Sequence, residues 1–235
     1  VPTGDLGTGF HIKTADSGAS VYANADELVM EESGNAGITI ASGNTSGANI
    51  FFADDGGVQR GKVAYDHNAD SMTLRSGNND SLVIDSAGHV TLPLQSGFVT
   101  ANNSSANSNV TGDETNYDVV CDVDIVDRTA DHAHATGIFT APVTGLYHFT
   151  CSISMGGIES NHTRLILQST TSNRTYYNFI ANIAAIDNSG SLAVNGSAIV
   201  DMDANDTHKF QLRIDGGSKT VDVDDSTFAA GHLLG

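Results

Sequence analysis

The chain has no tryptophan, two cysteines, and only 10 basic residues against 28 acidic ones among 235. Each scarcity narrows what the protein does. Ten cations in a chain of net charge −18 cannot form the Lys and Arg clusters that neutralise phosphates, so nucleic acid is disfavoured as a partner. Anionic membrane surfaces are disfavoured on the same ground. The acidic excess reads as a solubility device for a salty medium, where screening hides self-repulsion. Cys121 and Cys151 are too few for a disulfide scaffold and the wrong number for a zinc finger. They read as small buried hydrophobes, with a Cys121–Cys151 bridge as the other reading. No run approaches the roughly eighteen apolar residues of a membrane span, so no membrane insertion is expected. The opening VPTGDLGTGF lacks a basic stretch followed by an apolar run and does not read as a signal peptide.

What is present points to β-structure. Hydrophobic residues make up 39%, Gly numbers 25, and Asn, Ser, Thr and Asp are plentiful. That mixture favours short strands and turns over long helices. The core it permits is lean, and oligomerisation would help to cover it.

Residues 1–95 read as short apolar runs broken by Gly, Asn and Asp. They are GITI (Ile38, Ile40), NIFF (Ile50, Phe51, Phe52), KVAY (Val63, Tyr65), SMTL (Met72, Leu74), SLVI (Leu82, Ile84) and HVTL (Val90, Leu92). Each has strand length and turn residues on its flanks. DELVMEESGNAGITI (Asp26 to Ile40) echoes DSLVIDSAGHVTL (Asp80 to Leu92), which suggests a fibrous build, hairpin by hairpin. A polar, turn-rich segment covers 97–116, and a domain boundary is placed near Leu94 to Ser96.

From Tyr117 onward alternation with a period of two is clear. In DVVCDVDIVD, Val119, Cys121, Val123 and Ile125 share one face. In GLYHFTCSISM, Tyr147, Phe149, Cys151, Ile153 and Met155 do. In KFQLRID, Phe210, Leu212 and Ile214 alternate with Lys209, Gln211 and Arg213. These are half-buried antiparallel strands, and their repetition predicts a β-sandwich. TYYNFIANIAAID (Thr175 to Asp187) also fits helical spacing through Tyr176, Phe179, Ile180, Ile183 and Ile186. Strand and loop are expected, because its surroundings are β.

FTAPVTGLYHF concentrates scarce aromatics in eleven residues (Phe139 to Phe149). It resembles the F-x-x-x-x-x-G-x-Y-x-F signature of the globular head of complement C1q and its tumour-necrosis-factor-like relatives, through Phe139, Gly145, Tyr147 and Phe149. Asp127 matches the family's upstream Asn/Asp. The chain departs from it at Cys121, His132 and Cys151, where the family has aromatics (or Leu at 132). STFAAGHLLG (Ser226 to Gly235) is similar to the closing strand, with Phe228, Gly231, Leu233 and Leu234 in the family's roles. The resemblance implies a ten-stranded jelly roll over 97–235 that assembles as a tight homotrimer. Phe139, Tyr147, Phe149 and Phe228 would then cluster where the core meets the trimer axis. Pro142 would fix a turn, and Gly145 would allow a tight one.

The first half is similar, by phrase, to segments of marine bacteriophage tail-fibre proteins: LGTGFHIKTADSGAS, ELVMEESGNAGITIASGNTSGANIFFAD, GKVAYDHNADSMTLRS and SLVIDSAGHVTL. TGDETNYDVVCD and MDANDTHKF resemble phage versions of the head domain. The resemblance implies an all-β chain, with a trimeric intertwined β shaft (1–95) followed by the jelly-roll knob (97–235).

Candidate chemistry is sparse. DMDAND (Asp201, Asp203, Asn205, Asp206) superficially suggests a calcium loop but lacks its Gly at position six and Glu at position twelve. The resemblance leaves Ca2+ open, since some family members bind it; no cofactor is expected. Asp122, Asp124 and Asp127 lie on or near one solvent face. His132 and His134, on a trimer axis, would make a six-His cluster; exposed loop histidines are the plainer reading. No G-x-S-x-G elbow, P-loop or dinucleotide fingerprint occurs, and no enzyme is expected. The best recognition surface is NHTRLILQSTTSNRTYY, where His162, Arg164, Arg174, Tyr176 and Tyr177 bring planar and aromatic groups into a chain short of them.

The expected protein is a homotrimeric virion fibre, of tail or head, assembled in the host cytoplasm. It would join other virion proteins through its N-terminal side and bind a bacterial surface glycan or protein through its knob. A structural or decoration protein, a secreted adhesin of the same architecture and a polysaccharide-cleaving tip are the alternatives.

Overall fold

The computed structural model describes residues 10–101, 105–184 and 191–235. Every helix or strand among them is a strand. The chain divides into two compact units, Val1–Thr91 and Leu92–Gly235.

In the first unit, β1 (Phe10–Lys13) pairs in parallel with β2 (Leu28–Glu31). β3 (Gly47–Asp54), β4 (Gly57–Asp66), β5 (Ser71–Ser76), β6 (Asn79–Ile84) and β7 (Val90–Thr91) form an antiparallel meander in sequence order. Gly77 and Asn78, with φ of 57° and 67°, make the two-residue turn between β5 and β6 that left-handed residues favour. The internal similarity extends over its first strand only. Leu82–Ile84 returns through a turn to β7, whereas the expected GITI strand at 37–40 is irregular. Among the described residues of this unit Glu31 alone is buried. The Ser17 N–H (2.7 Å) and Lys13 Nζ (3.1 Å) hold its carboxyl down at about 2.

The second unit is a two-sheet sandwich. Its strands are β8 (Gly97–Ala101), β9 (Asn107–Thr111), β10 (Asn116–Asp118), β11 (Val123–Asp127), β12 (His132–Ala133), β13 (Ile138–Thr140), β14 (Gly145–Gly156), β15 (Arg164–Thr171), β16 (Thr175–Asn182), β17 (Leu192–Met202), β18 (Thr207–Asp215), β19 (Val221–Val223) and β20 (Phe228–Leu233). One sheet runs β12-β13-β18-β15-β16, with β10 also on β18. The other runs β11-β8-β20-β14-β19-β9, with β17 on β14. The segment that also fits helical spacing is strand β16 up to Asn182; Ile186 lies outside the described residues.

The period-two reading holds where the strands are long. Tyr147, Phe149, Cys151, Ile153 and Met155 of β14 face Phe210, Leu212 and Ile214 of β18 across a closed core. It fails at residues 119–125. Val119 and Cys121 are buried but precede the ladder, and a register shift between Asp124 and Val126 turns Ile125 outward.

The signature residues form this core. Phe139, Tyr147 and Phe149 are sealed within one chain, so they cannot also be contacts on a trimer axis; only Phe228, 44% exposed, faces out. The Tyr147 hydroxyl donates to the Val143 carbonyl at 2.7 Å and ties down the turn after Pro142. Gly145 opens β14 rather than making a turn. A Cβ there would stand 2.9 Å from Leu233 Cδ1 and 3.1 Å from the Gly235 carbonyl oxygen, so its bareness admits the closing strand.

Cys121 and Cys151 are free and buried. Burial pushes their thiols up, to about 11 and about 12. Both should resist iodoacetamide at pH 8 in the folded chain and react fully in denaturant, as counted by mass spectrometry. Rapid alkylation of the folded chain would contradict their placement.

Candidate functional site

The outward face of β10–β18–β15–β16 carries the densest polar constellation of the sandwich. Antiparallel register sets it out in rows. One row is Ile180–Ile166–Arg213–Asn116, and the next is Tyr177–Gln168–Gln211–Asp118. Strand alternation puts these side chains on one face, with a bulge at Asn178 of β16 bringing Tyr177 and Ile180, three residues apart, to the same side. Lys209 Nζ (2.7 Å) and Gln211 Nε2 (2.6 Å) donate to Asp118, and Gln168 Nε2 donates to Gln211 Oε1 at 2.9 Å. At the row's end the buried carboxylate of Asp215 takes Arg164 Nε and Nη2 on Oδ2 (2.8 and 2.6 Å) and Arg213 Nε on Oδ1 (2.5 Å). Arg213 Nη2 also reaches Glu114 Oε2 at 3.4 Å. Two guanidinia are thus pinned side by side.

A cleft of about 370 Å³ opens over this face, between Tyr177, Gln168, Arg164 and Arg213. A second, of about 540 Å³, shares Arg164 and Ile180 with it and reaches Asn182 and Gly216. Tyr177 is 63% exposed.

The expected recognition residues divide. Arg164 and Tyr177 line the cleft. Tyr176 points the other way and packs on the core. Arg174 lies beyond the turn, in a separate depression with Asp201, Asp203 and Asp206. His162 is fully buried, which removes it from any receptor surface. Its Nδ1 accepts the Glu159 N–H (2.8 Å) and its Nε2 lies 3.0 Å from the Ser218 carbonyl oxygen. It pins two loops together, a role for which a loop histidine carries no mark in sequence. The reading from sequence missed Arg213, Gln168 and Asn116. KFQLRID had placed Arg213 on an outward face, but only the register of β18 on β15 sets it beside Arg164.

The weaker metal candidates do not assemble. His132 is not an exposed loop histidine: it is buried and stacks on Phe98, centroids 4.2 Å apart. His134 is exposed and meets Asp124 Oδ2 at 2.9 Å. His132 Nδ1 lies 3.5 Å from the other oxygen of the same Asp124 carboxylate, so the two rings flank Asp124 from a buried and an exposed side. Asp127 explains its place in the signature, since its carboxylate accepts the Asp131 and His132 N–H groups (3.3 and 3.2 Å) and presents His132 to the core. Asp122 lies just ahead of β11, half-buried. Asp203 accepts from Thr144, and Asp206 from Asn173 and the Asp203 N–H. Among the described residues no group of three or more His, Cys, Asp or Glu side chains is arranged to hold a metal ion.

An all-β sandwich with a sealed aromatic core and a polar outer cleft defines a jelly-roll head domain. Residues 100–234 match the C1q domain, and the chain belongs to that family. Solved structures similar to it include the globular domain of zebrafish complement 1qA (21% identity, TM-score 0.43, 60% of this chain and 98% of that one). Murine APRIL is similar at 12% identity and TM-score 0.41 (60% and 99%), and the Eiger TNF of S. frugiperda at 14% and 0.41 (60% and 93%). No curated protein matches the chain by sequence.

Proposed function

We propose that the chain is a homotrimeric bacteriophage fibre protein whose C1q domain attaches the particle to a bacterial surface, without catalysis. The observation that supports assembly is the state of residues 10–91; the particle it belongs to is read from the tail-fibre-like phrases of the same segment. Phe10, Ile50, Phe51, Phe52 and Val58 all stand exposed, and no apolar side chain described there is buried. A meander of five strands open on both faces does not hold itself together in water. Copies wound around one another would cover those side chains, as in an intertwined shaft. The shaft's N-terminal side would then join other virion proteins.

The sandwich has a matching surface. The outward face of the β8–β20–β14–β17 sheet presents Val99, Leu146, Ile199 and Phe228, all exposed. Apolar patches of this kind mark association. Three copies meeting there leave the β10–β18–β15–β16 face free for a surface glycan or protein, and trivalent presentation multiplies weak contacts.

Light scattering should give about three times the 24.4 kDa chain mass. Ile199→Asp, at a side chain 61% exposed, should lower the thermal midpoint of the assembled sandwich while the shaft keeps the trimer mass. A monomeric parent chain would sink the reading. Chelator should leave the mass unchanged. Labelled trimer should stain cells of a susceptible strain. If it stains none, and the particle still adsorbs when the knob is deleted, the protein is structural or decorative instead.

A further inference from the structure

We propose that the cleft over β10–β18–β15–β16 binds a carboxylate-bearing sugar of a bacterial surface glycan. The proposal rests on the attachment reading above and adds the chemistry of the ligand.

The cleft has three kinds of wall. Tyr177 offers an exposed ring whose hydroxyl meets no partner among the described residues. An aromatic face of this kind suits the C–H face of a pyranose. Ile166 and Ile180, neighbours in register, make an apolar floor. Arg164 and Arg213 form the far wall.

The arginines decide the charge of the ligand. Asp215 engages Arg164 through Nε and Nη2 and Arg213 through Nε, and Glu114 takes Arg213 Nη2. A guanidinium has five N–H donors, so each keeps donors beyond these bonds. Because Asp215 fixes both groups in place, little side-chain freedom is lost when a ligand binds. Asp215 and Glu114 balance the two guanidinium charges, so it is the remaining planar N–H donors, aimed outward in a fixed fork, that match a carboxylate better than a neutral group. A charge-balanced cluster is also unusual ground in a chain of net charge −18, whose acidic excess repels an acidic polymer elsewhere. Gln168 spends its amide N–H on Gln211 and keeps its carbonyl oxygen for a sugar hydroxyl. Asn116, at the end of the Arg213 row, adds a second amide. The volume of about 370 Å³ is that of a small-ligand site and suits one or two sugar units.

The test is titration of the intact chain with tetragalacturonate, with a tetramer of sialic acid, and with the methyl ester of the first, followed by ligand-observed NMR and calorimetry. At least one acid should bind, and esterification should weaken that binding about tenfold or more. Tyr177→Ala and Arg213→Gln should each do the same while leaving the solution mass and far-UV spectrum unchanged. Tyr177 is exposed enough that its removal tests the site without threatening the fold. Failure of both acids to bind, equal binding of the ester, or wild-type affinity in both variants would overturn the proposal. Tighter binding of a phosphorylated neutral oligosaccharide would overturn the carboxylate assignment. Staining of bacterial cells separates the two readings. Equal staining by wild type and Tyr177→Ala sinks the cleft and leaves attachment standing. Saccharide binding without staining of any strain sinks attachment and leaves the cleft.

Discussion

Phe149→Ala is expected to lower the stability of the C1q domain by about 3–5 kcal/mol, the cost of truncating a fully buried Phe. Its ring lies flat on His208, centroids 3.7 Å apart, and meets Phe139 at 5.2 Å, Tyr147 at 6.2 Å and Phe98 at 6.3 Å. These neighbours are rigid rings, so the space left by truncation closes poorly and the cost falls toward the upper end. Gly231 exists for the same ring. A Cβ there would stand 2.5 Å from Phe149 Cδ1 and 2.7 Å from Phe98 Cε1. Gly231→Ala alone should therefore cost about 1–3 kcal/mol through overpacking. Combined with Phe149→Ala it should cost less than the sum, because the methyl then enters the space the ring has left. Urea midpoints at one fixed chain concentration measure the cycle, since assembly makes stability depend on concentration. Strict additivity would mean that ring and glycine do not share that space.

Much of this core is visible in the sequence, for a physical reason. Where a strand is long and half-buried, alternation is the direct image of its two faces. β14 and β18 show it without a break, so Tyr147 to Met155 and Phe210 to Ile214 are readable as core. The signature stretch adds the aromatics. What is not visible arises where a local pattern meets a long-range decision. Ile125 belongs to an unbroken alternating run, yet a bulge turns it out to 58% exposure. His132 and His208 carry no mark of burial, because a histidine is polar by type. Only the packing shows His132 on Phe98, at a position where the family has an aromatic or Leu. The candidate cleft is half legible for the same reason. Tyr177 and Arg164 stand out by composition in one stretch, while Arg213 and Asn116 arrive from distant strands through register. In residues 10–91 the runs are short and exposed on both faces, so alternation has no core to report.

Acid should destabilise the C1q domain well before its carboxylates titrate. His208 is buried, its Nε2 has no hydrogen-bond partner among the described residues, and burial, with a smaller push from His132, holds its imidazole down at about 3. Burial lowers His132 too, against an opposing pull from Asp124. The unfolded chain protonates these rings near 6.5, whereas the folded chain keeps them neutral. Between those values the unfolded state binds more protons, so stability is full above about pH 6.5 and falls as pH drops toward 3. At about 1.4 kcal/mol per pH unit, His208 alone should remove about 2–3 kcal/mol between pH 6.5 and 4.5. The domain's depressed carboxylates, such as Asp113, lose their contribution only below about pH 4.5, since their unfolded values lie near 4. The window from 6.5 to 4.5 therefore belongs to the histidines. Urea midpoints across it should slope in the parent chain and flatten in His208→Phe, which keeps a ring against Phe149 but has no proton to bind. His132→Phe should remove a smaller part of the slope, because Asp124 already favours its charged form. An equal slope in His208→Phe would show that this ring meets water in the folded chain and that the core is not sealed around it.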